Sequence, residues 1–123
     1  MIFAFRIPTQ PPSVNHTYKI VRQYGKGGKS YMTLAKEPEV EQYQMVAASI
    51  AKHARPAGWE PAGFIKLRYW WSLGKDIDCD NMKKALNDAL ALAWGINDRM
   101  FLSCDVEKTT GNKEPYVEIE VEG

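Results

Sequence analysis

Three alternating aspartates are the residues of this sequence best suited to chemistry. They stand in the run Asp76-Ile77-Asp78-Cys79-Asp80, and residues two apart point to the same side of an extended chain. Crowded carboxylates repel one another unless a cation lies between them. Mg²⁺ is commonly held by one or two carboxylates together with waters and a substrate phosphate. The spacing therefore indicates a metal site that acts on a phosphate ester.

Residues further along the chain extend this candidate site. Lys84 lies one helical turn after Asp80, and Asp88 follows one turn later. Asp98 comes after the predicted helix, and we expect the returning chain to bring it beside Asp78 and Asp80. The alternative is purely structural: Asp80 caps the helix, the other acids are solvated, and Lys84 and Asp88 form an ordinary surface pair.

Two other motifs fail in detail. The alternating aspartates imitate the start of an EF-hand calcium loop, but that loop needs glycine at position six and glutamate at position twelve, where this chain has Asn81 and Asn87. Gly28-Lys29-Ser30 imitates the end of a phosphate-binding P-loop, but Gln23 replaces the required glycine. Neither site is expected.

The pattern around these residues predicts one α+β domain over residues 1–123. We expect a mixed β-sheet with two α-helices packed on one face, in the order β-ββ-α-β-α-ββ. Hydrophobic periodicity and the positions of proline and glycine place strands at 2–7, 17–23, 30–34, 64–72, 99–108 and 116–122, and helices at 38–54 and 80–93.

The two final strands both alternate in polarity. In the first, Met100, Leu102, Cys104 and Val106 are the apolar set and are expected to point inward. In the second, valine and isoleucine alternate with a glutamate stripe that is expected to face solvent, formed by Glu118, Glu120 and Glu122.

Charge is distributed unevenly along the chain. The net charge of +1 is the sum of +6 over residues 1–36, which contain no acid, and −5 over the remainder. The basic residues of the predicted hairpin are Lys19, Arg22, Lys26 and Lys29. Such a glycine-rich basic hairpin can bind phosphates; a solvated hairpin whose lysines serve solubility is the alternative.

Composition excludes several classes of protein. The sequence has 45% hydrophobic and 25% charged residues and no run long enough to span a membrane. Its two cysteines are too few for a disulfide scaffold. We therefore expect a cytoplasmic protein with no membrane partner and no signal peptide.

Together these motifs resemble the RusA-type Holliday junction resolvases. The resemblance is carried by Pro11-Pro12-Ser13-Val14-Asn15 after a first strand, by Asp78-Cys79-Asp80-Asn81 with Lys84 and Asp88-Ala89-Leu90 following, and by Asp98 before a strand. It implies that Asp78, Asp80 and Asp98 bind metal and that Lys84 is the essential lysine. Asn97 departs from the two adjacent acids that the family commonly has at this place.

The resemblance implies a homodimeric endonuclease, often phage-borne, that uses Mg²⁺, or Mn²⁺ in its place. Its partner would be branched DNA, which it would resolve by symmetric paired nicks during recombination and repair. Lys84 would donate to the phosphate, the basic hairpin would hold the DNA arms, and Asn15 would contact a phosphate or a metal-bound water. Two other function classes stay open: a non-catalytic DNA-binding protein whose acidic cluster is structural, and a metal-dependent nucleotide phosphatase.

Overall fold

Helices and strands follow one another in the order that the sequence predicts. The computed structural model describes residues 1–13, 18–24, 30–36 and 38–123. The elements are β1 (Ile2–Ile7), β2 (Tyr18–Tyr24), β3 (Ser30–Lys36), α1 (Pro38–Ala54), β4 (Ile65–Ser72), α2 (Cys79–Trp94), a 3₁₀ turn (Asp98–Met100), β5 (Phe101–Thr109) and β6 (Tyr116–Glu122). The predicted α+β fold is confirmed.

The strands form a mixed sheet and a separate hairpin. The sheet has the order β1-β6-β4-β5, in which β4 and β5 are parallel and the other neighbours are antiparallel. Strands β2 and β3 pair with each other, from Tyr18 opposite Lys36 to Tyr24 opposite Ser30. The parallel pair requires a crossover, and α2 provides it.

Both helices begin and end where local chemistry favours it. Pro38 opens α1, where its missing N–H costs no hydrogen bond. The Asp78 side chain caps α2 by accepting from the Asp80 N–H at 2.9 Å. Gly95 ends this helix in the left-handed conformation, with φ of 64°. The alternative in which Asp80 caps α2 is therefore wrong, because the helix begins at Cys79 and its cap is Asp78.

The core lies between one face of the sheet and the two helices. Strand β4 buries alternate residues from Ile65 to Trp71, and β6 buries Val117, Ile119 and Val121. The helices also contact each other, since the buried Gln44 side chain donates to the Ala85 carbonyl at 3.2 Å. The prediction that both helices cover one face of the sheet is confirmed.

Strand β5 presents the opposite face from the one expected. Leu102 and Val106 are about half exposed, and Cys104 is exposed. The residues between them contact the core: Ser103 lies 3.3 Å from the Tyr69 hydroxyl, and Asp105 accepts from the Trp71 indole. The prediction is wrong because the two large aromatic side chains of β4 carry polar groups that need partners on the next strand.

The other face of the sheet is open and charged. The three glutamates of β6 lie there, as predicted, and pair with basic residues of the neighbouring strands. Arg68 contacts Glu120 at 2.9 Å and Glu122 at 3.0 Å, and Arg6 contacts Glu118 at 3.5 Å. The hydrogen bond from Arg68 lowers the pKa of Glu122. Within the described parts of the chain, no helix is long and apolar enough to cross a membrane.

Candidate active site

The loop between β4 and α2 presents the alternating aspartates, and the Pro-rich segment holds this loop. Gln10 accepts from the Gly74 N–H at 2.9 Å and donates to the Lys75 carbonyl at 3.0 Å. From the other side, the Gly111 N–H donates to the Gly74 carbonyl at 3.1 Å. A Cβ on Gly74 would come within 3.1 Å of the Asn112 carbonyl oxygen, which favours glycine at this crossing.

Four carboxylates, from this loop, the first turn of α2 and strand β5, lie around one cleft. They line an open cleft of about 480 Å³ together with one thiol and one ammonium group: Asp76, Asp78, Cys79, Asp80, Asp105 and Lys108. The Asp80 side chain is 87% exposed, because Asp78 performs the capping. Asp80 is thus available to a ligand from solvent.

Two lysines partly neutralise these acids. The Lys108 ammonium lies 2.7 Å from Asp76, and the hydrogen bond between them raises the pKa of Lys108. The Lys83 ammonium lies 2.8 Å from Asp105 and 3.4 Å from Asp80. Burial acts to lower the pKa of Lys83, but its hydrogen bonds and charge attraction to the two aspartates outweigh burial and raise it. Both side chains therefore remain cationic near neutral pH.

Asp105 is the site residue that sequence reasoning missed. One of its oxygens accepts from the Trp71 indole at 2.8 Å, and the other contacts Lys83. Asp105 reaches the site through the parallel pairing of β4 and β5, which sets it opposite Tyr69, and no local sequence signal reports that pairing. The apolar alternation of β5 concealed it, since that pattern assigned Asp105 to the solvent face.

Cys79 lies at the edge of the cleft and packs partly against the core. Burial, assisted by the charge of Asp105, raises the pKa of its thiol. The thiolate is the nucleophilic form of cysteine, so this environment does not favour nucleophilic catalysis by Cys79.

Lys84 forms the pair that the helical spacing predicts. Its ammonium lies 3.2 Å from Asp88, one turn further along α2. The Lys84 side chain is about half exposed, which is typical of a lysine that solvent and ligands can reach.

Asp98 does not lie beside Asp78 and Asp80, so the expected return of the chain is wrong. Because β5 runs parallel to β4, α2 carries the chain back to the edge of the sheet where β4 begins, and Phe101 pairs with Ile65. A helix of 16 residues covers about 24 Å at 1.5 Å per residue. Asp98 instead lines a second pocket at the other end of α2, with Asp88 and Asn97 among its neighbours. Asn97 caps the 3₁₀ turn by accepting from the Arg99 N–H at 3.0 Å.

Two of the five predicted DNA-binding residues lie in a strand that the structure describes. Lys19 and Arg22 lie in β2, whereas Asn15, Lys26 and Lys29 lie outside the described residues. The predicted pairing of β2 with β3 is confirmed; the binding role of these five residues stays a prediction.

The donor set of the cleft fits a hard cation that keeps part of its own hydration. Among the residues that the structure describes, no group of three or more histidine, cysteine or acidic side chains is placed to hold a metal ion together. Mg²⁺ needs fewer, since one or two carboxylates can hold it with waters and phosphate oxygens completing the shell. Asp78 and Asp80 can provide those carboxylates.

Comparison with known proteins identifies one family over nearly the whole chain. The family model described as endodeoxyribonuclease RusA matches residues 8–122. No curated protein matches the sequence. Among solved structures, a 2C-methyl-D-erythritol 2,4-cyclodiphosphate synthase from Plasmodium vivax aligns with 10% sequence identity and a TM-score of 0.39, over 98% of this chain and 93% of that one. A likeness at this level carries no functional argument.

Proposed function

Since the chain belongs to the endodeoxyribonuclease RusA family, a family of Holliday junction resolving endonucleases, we propose that it nicks four-way DNA junctions in a reaction that depends on Mg²⁺. The observation that carries the proposal is the cleft at the start of α2, where Asp78 and the exposed Asp80 lie beside cationic lysines. A phosphodiesterase needs both kinds of charge, acids to bind a metal and cations to hold the phosphate.

Asp78 and Asp80 are the metal ligands of the proposal. Bound Mg²⁺, or Mn²⁺ in its place, would supply an activated water and neutralise charge on the phosphate. Asp78 is oriented by its hydrogen bond to the helix backbone, so its carboxylate faces the cleft in a defined direction. Asp80 contacts Lys83 at 3.4 Å, and its 87% exposed side chain leaves the ion an open approach from solvent.

Lys84 is the proposed donor to the phosphate. It lies one turn along α2 from Asp80, on the same side of the helix. Its ammonium group can donate to the phosphate oxygens as negative charge develops on them. Its pair with Asp88 holds the ammonium at the helix surface until DNA binds.

Asp98 enters the proposal through the homodimer. The family resemblance implies that Asp98 is the third metal-binding acid. In the structure, however, Asp98 lies at the end of α2 opposite Asp78 and Asp80. We propose that each site of a two-fold dimer combines Asp78 and Asp80 of one protomer with Asp98 of its partner. Two such sites would suit a nearly two-fold junction and produce paired nicks in opposite strands.

The basic hairpin is the proposed holder of the DNA arms. Lys19, Arg22, Lys26 and Lys29 add four positive charges to a part of the sequence that contains no acid. Gln10, which precedes Asn15 in the Pro-rich segment of the sequence, holds the loop of the acidic site, and this contact supports a role for Asn15 at a phosphate or a metal-bound water. Cellular recombination and repair or phage DNA processing in the cytoplasm would supply the junctions.

The test is incubation with a synthetic four-way junction and with a linear duplex of the same arm sequence, each with Mg²⁺ and with a chelator. We expect paired nicks in the junction only, and only with the metal. Junction binding without cleavage under Mg²⁺ and Mn²⁺ would contradict the proposal and favour a non-catalytic DNA-binding protein. Release of phosphate from free nucleotides, with intact junctions, would favour a phosphatase.

A further inference from the structure

A chain of polar contacts joins the core to Asp80, an exposed acid of the cleft. The indole of Trp71 donates to one oxygen of Asp105 at 2.8 Å. The other Asp105 oxygen lies 2.8 Å from the Lys83 ammonium, which lies 3.4 Å from Asp80. The chain of contacts begins at Trp71, which is 1% exposed, and ends at the Asp80 side chain, which is 87% exposed.

Each contact restricts the next side chain. Trp71 is enclosed by the core and has little freedom. Asp105 uses both of its oxygens, so its carboxylate plane is fixed. A lysine side chain loses rotamer entropy when it is ordered, and the 2.8 Å contact with Asp105 holds Lys83 in place before any ligand binds.

The position of Lys83 differs from that of the other cations. Lys108 lines the cleft, whereas Lys83 is not among the cleft-lining residues and its side chain is only 20% exposed. Lys83 therefore approaches Asp80 from the protein side and leaves the solvent side of this carboxylate open.

We propose that Lys83 is a positioning residue, held by Asp105 and Trp71, that fixes the Asp80 carboxylate in the orientation in which it binds the metal. This inference rests on the proposed function, because it treats Asp80 as a metal ligand. It assigns Lys83 a role distinct from that of Lys84, which would contact the phosphate.

The direction in which Lys83→Met changes metal affinity distinguishes a positioning role from a purely electrostatic one. Removing the positive charge of Lys83 would tighten metal binding at Asp80 if charge alone mattered. Loss of positioning acts in the opposite direction, and loss of a partner that orients a ligand typically costs about 10- to 100-fold in metal affinity or activity. Lys83→Met should therefore weaken binding.

The experiment measures Mn²⁺ affinity by titration calorimetry, without DNA, and the junction cleavage rate at saturating metal. The variants are Lys83→Met, Lys83→Arg, Asp105→Asn and the double variant of Lys83→Met with Asp105→Asn. Lys52→Met is the matched control, because Lys52 is an exposed lysine. It follows Ala51, whose carbonyl accepts from Trp94 at the end of α2 opposite the cleft. Melting temperatures show whether each variant is folded.

We expect Lys83→Met and Asp105→Asn each to weaken Mn²⁺ binding about tenfold or more, with little change in junction affinity. The double variant should be no weaker than the weaker single variant, and Lys83→Arg should recover most of the loss. Unchanged or tighter Mn²⁺ binding in Lys83→Met would overturn the inference. A variant whose melting temperature falls while its Mn²⁺ affinity stays the same would also overturn it. If the wild type cuts no junction but the Mn²⁺ pattern appears, the proposed function fails and the positioning role stands.

Discussion

The two ends of α2 carry acids of the same sequence motif but differ in what surrounds those acids. At the beginning of the helix, the carboxylates of the cleft lie among Lys83 and Lys108, above a core aromatic that holds Asp105. At the other end, Asp98 follows a glycine cap and lies in a pocket with Asp88. Among the described residues, the first end combines four carboxylates with two lysines, whereas the second brings Asp98 together with Asp88 and Asn97.

The difference shows that closeness in sequence does not imply a shared site. A crossover between parallel strands returns the chain to the edge from which it started. Residues that flank the crossover helix are therefore separated by its length. The proposed site therefore combines acids from the two ends of this helix by using two copies of the chain.

The largest expected effect comes from the first end. Asp80→Asn should lower the junction cleavage rate by about 10³-fold, because it removes a charged metal ligand from the proposed site. The fold should be unaffected, since Asp78 and not Asp80 caps α2. Cleavage is followed on a denaturing gel, binding by mobility shift, and Glu60→Gln on an exposed loop residue is the control. Near-normal cleavage by Asp80→Asn would contradict the proposal that Asp80 binds the catalytic metal.

A smaller loss is expected from Lys84→Met. This change removes a proposed donor to the phosphate while leaving the metal ligands in place, so the rate should fall by about 10²- to 10³-fold. Mn²⁺ affinity, measured by calorimetry, should change little. If Lys84→Met instead abolished metal binding and left the rate at saturating metal intact, the separate roles of Lys83 and Lys84 would be wrong.

The basic hairpin should affect binding more than chemistry. Replacing Lys26 and Lys29 by alanine should reduce the slope of log affinity against log salt concentration by about one per lysine that contacts a phosphate. The cleavage rate at saturating junction should stay the same. Equal salt slopes for the wild type and the double variant would show that the hairpin does not hold the DNA arms.

The open face of the sheet should matter least for cleavage. Arg68→Met removes the partner that lowers the pKa of Glu122. A lowered carboxyl pKa in the folded state stabilises the protein above the ordinary glutamate range, and this contribution disappears as the pH falls below that range. The melting temperature of Arg68→Met should therefore be slightly below that of the wild type at pH 7, and the difference should shrink as the pH falls through the lowered pKa of Glu122. A difference that keeps the same size as the pH falls would contradict this explanation.

Local rules predicted much of the fold and only part of the site. The bounds of α1 follow from Pro38 and from one apolar stripe, and those of β6 from strict alternation, so the sequence was sufficient for both. Strand β5 was assigned the wrong face because it lies at the edge of the sheet and satisfies the polar groups of Tyr69 and Trp71. That requirement arises only when two distant strands pair.

The same reasoning explains what was found and missed in the site. Asp78 and Asp80 could be identified because their spacing places them on one short segment. Asp105 belongs to the site through a parallel pairing between β4 and β5, and Lys83 through its contact with Asp105. No local pattern in the sequence encodes these contacts.

Complementation between two inactive variants tests the central claim most directly. Asp80→Asn and Asp98→Asn protomers are mixed, allowed to exchange subunits, and incubated with a four-way junction and Mg²⁺. Each variant alone should be inactive. In a mixed dimer, the intact Asp80 of one protomer meets the intact Asp98 of its partner, so nicking should return to roughly a quarter of the wild-type level, since half of the dimers are mixed and each has one complete site. No recovery after demonstrated subunit exchange would contradict a site shared between two protomers.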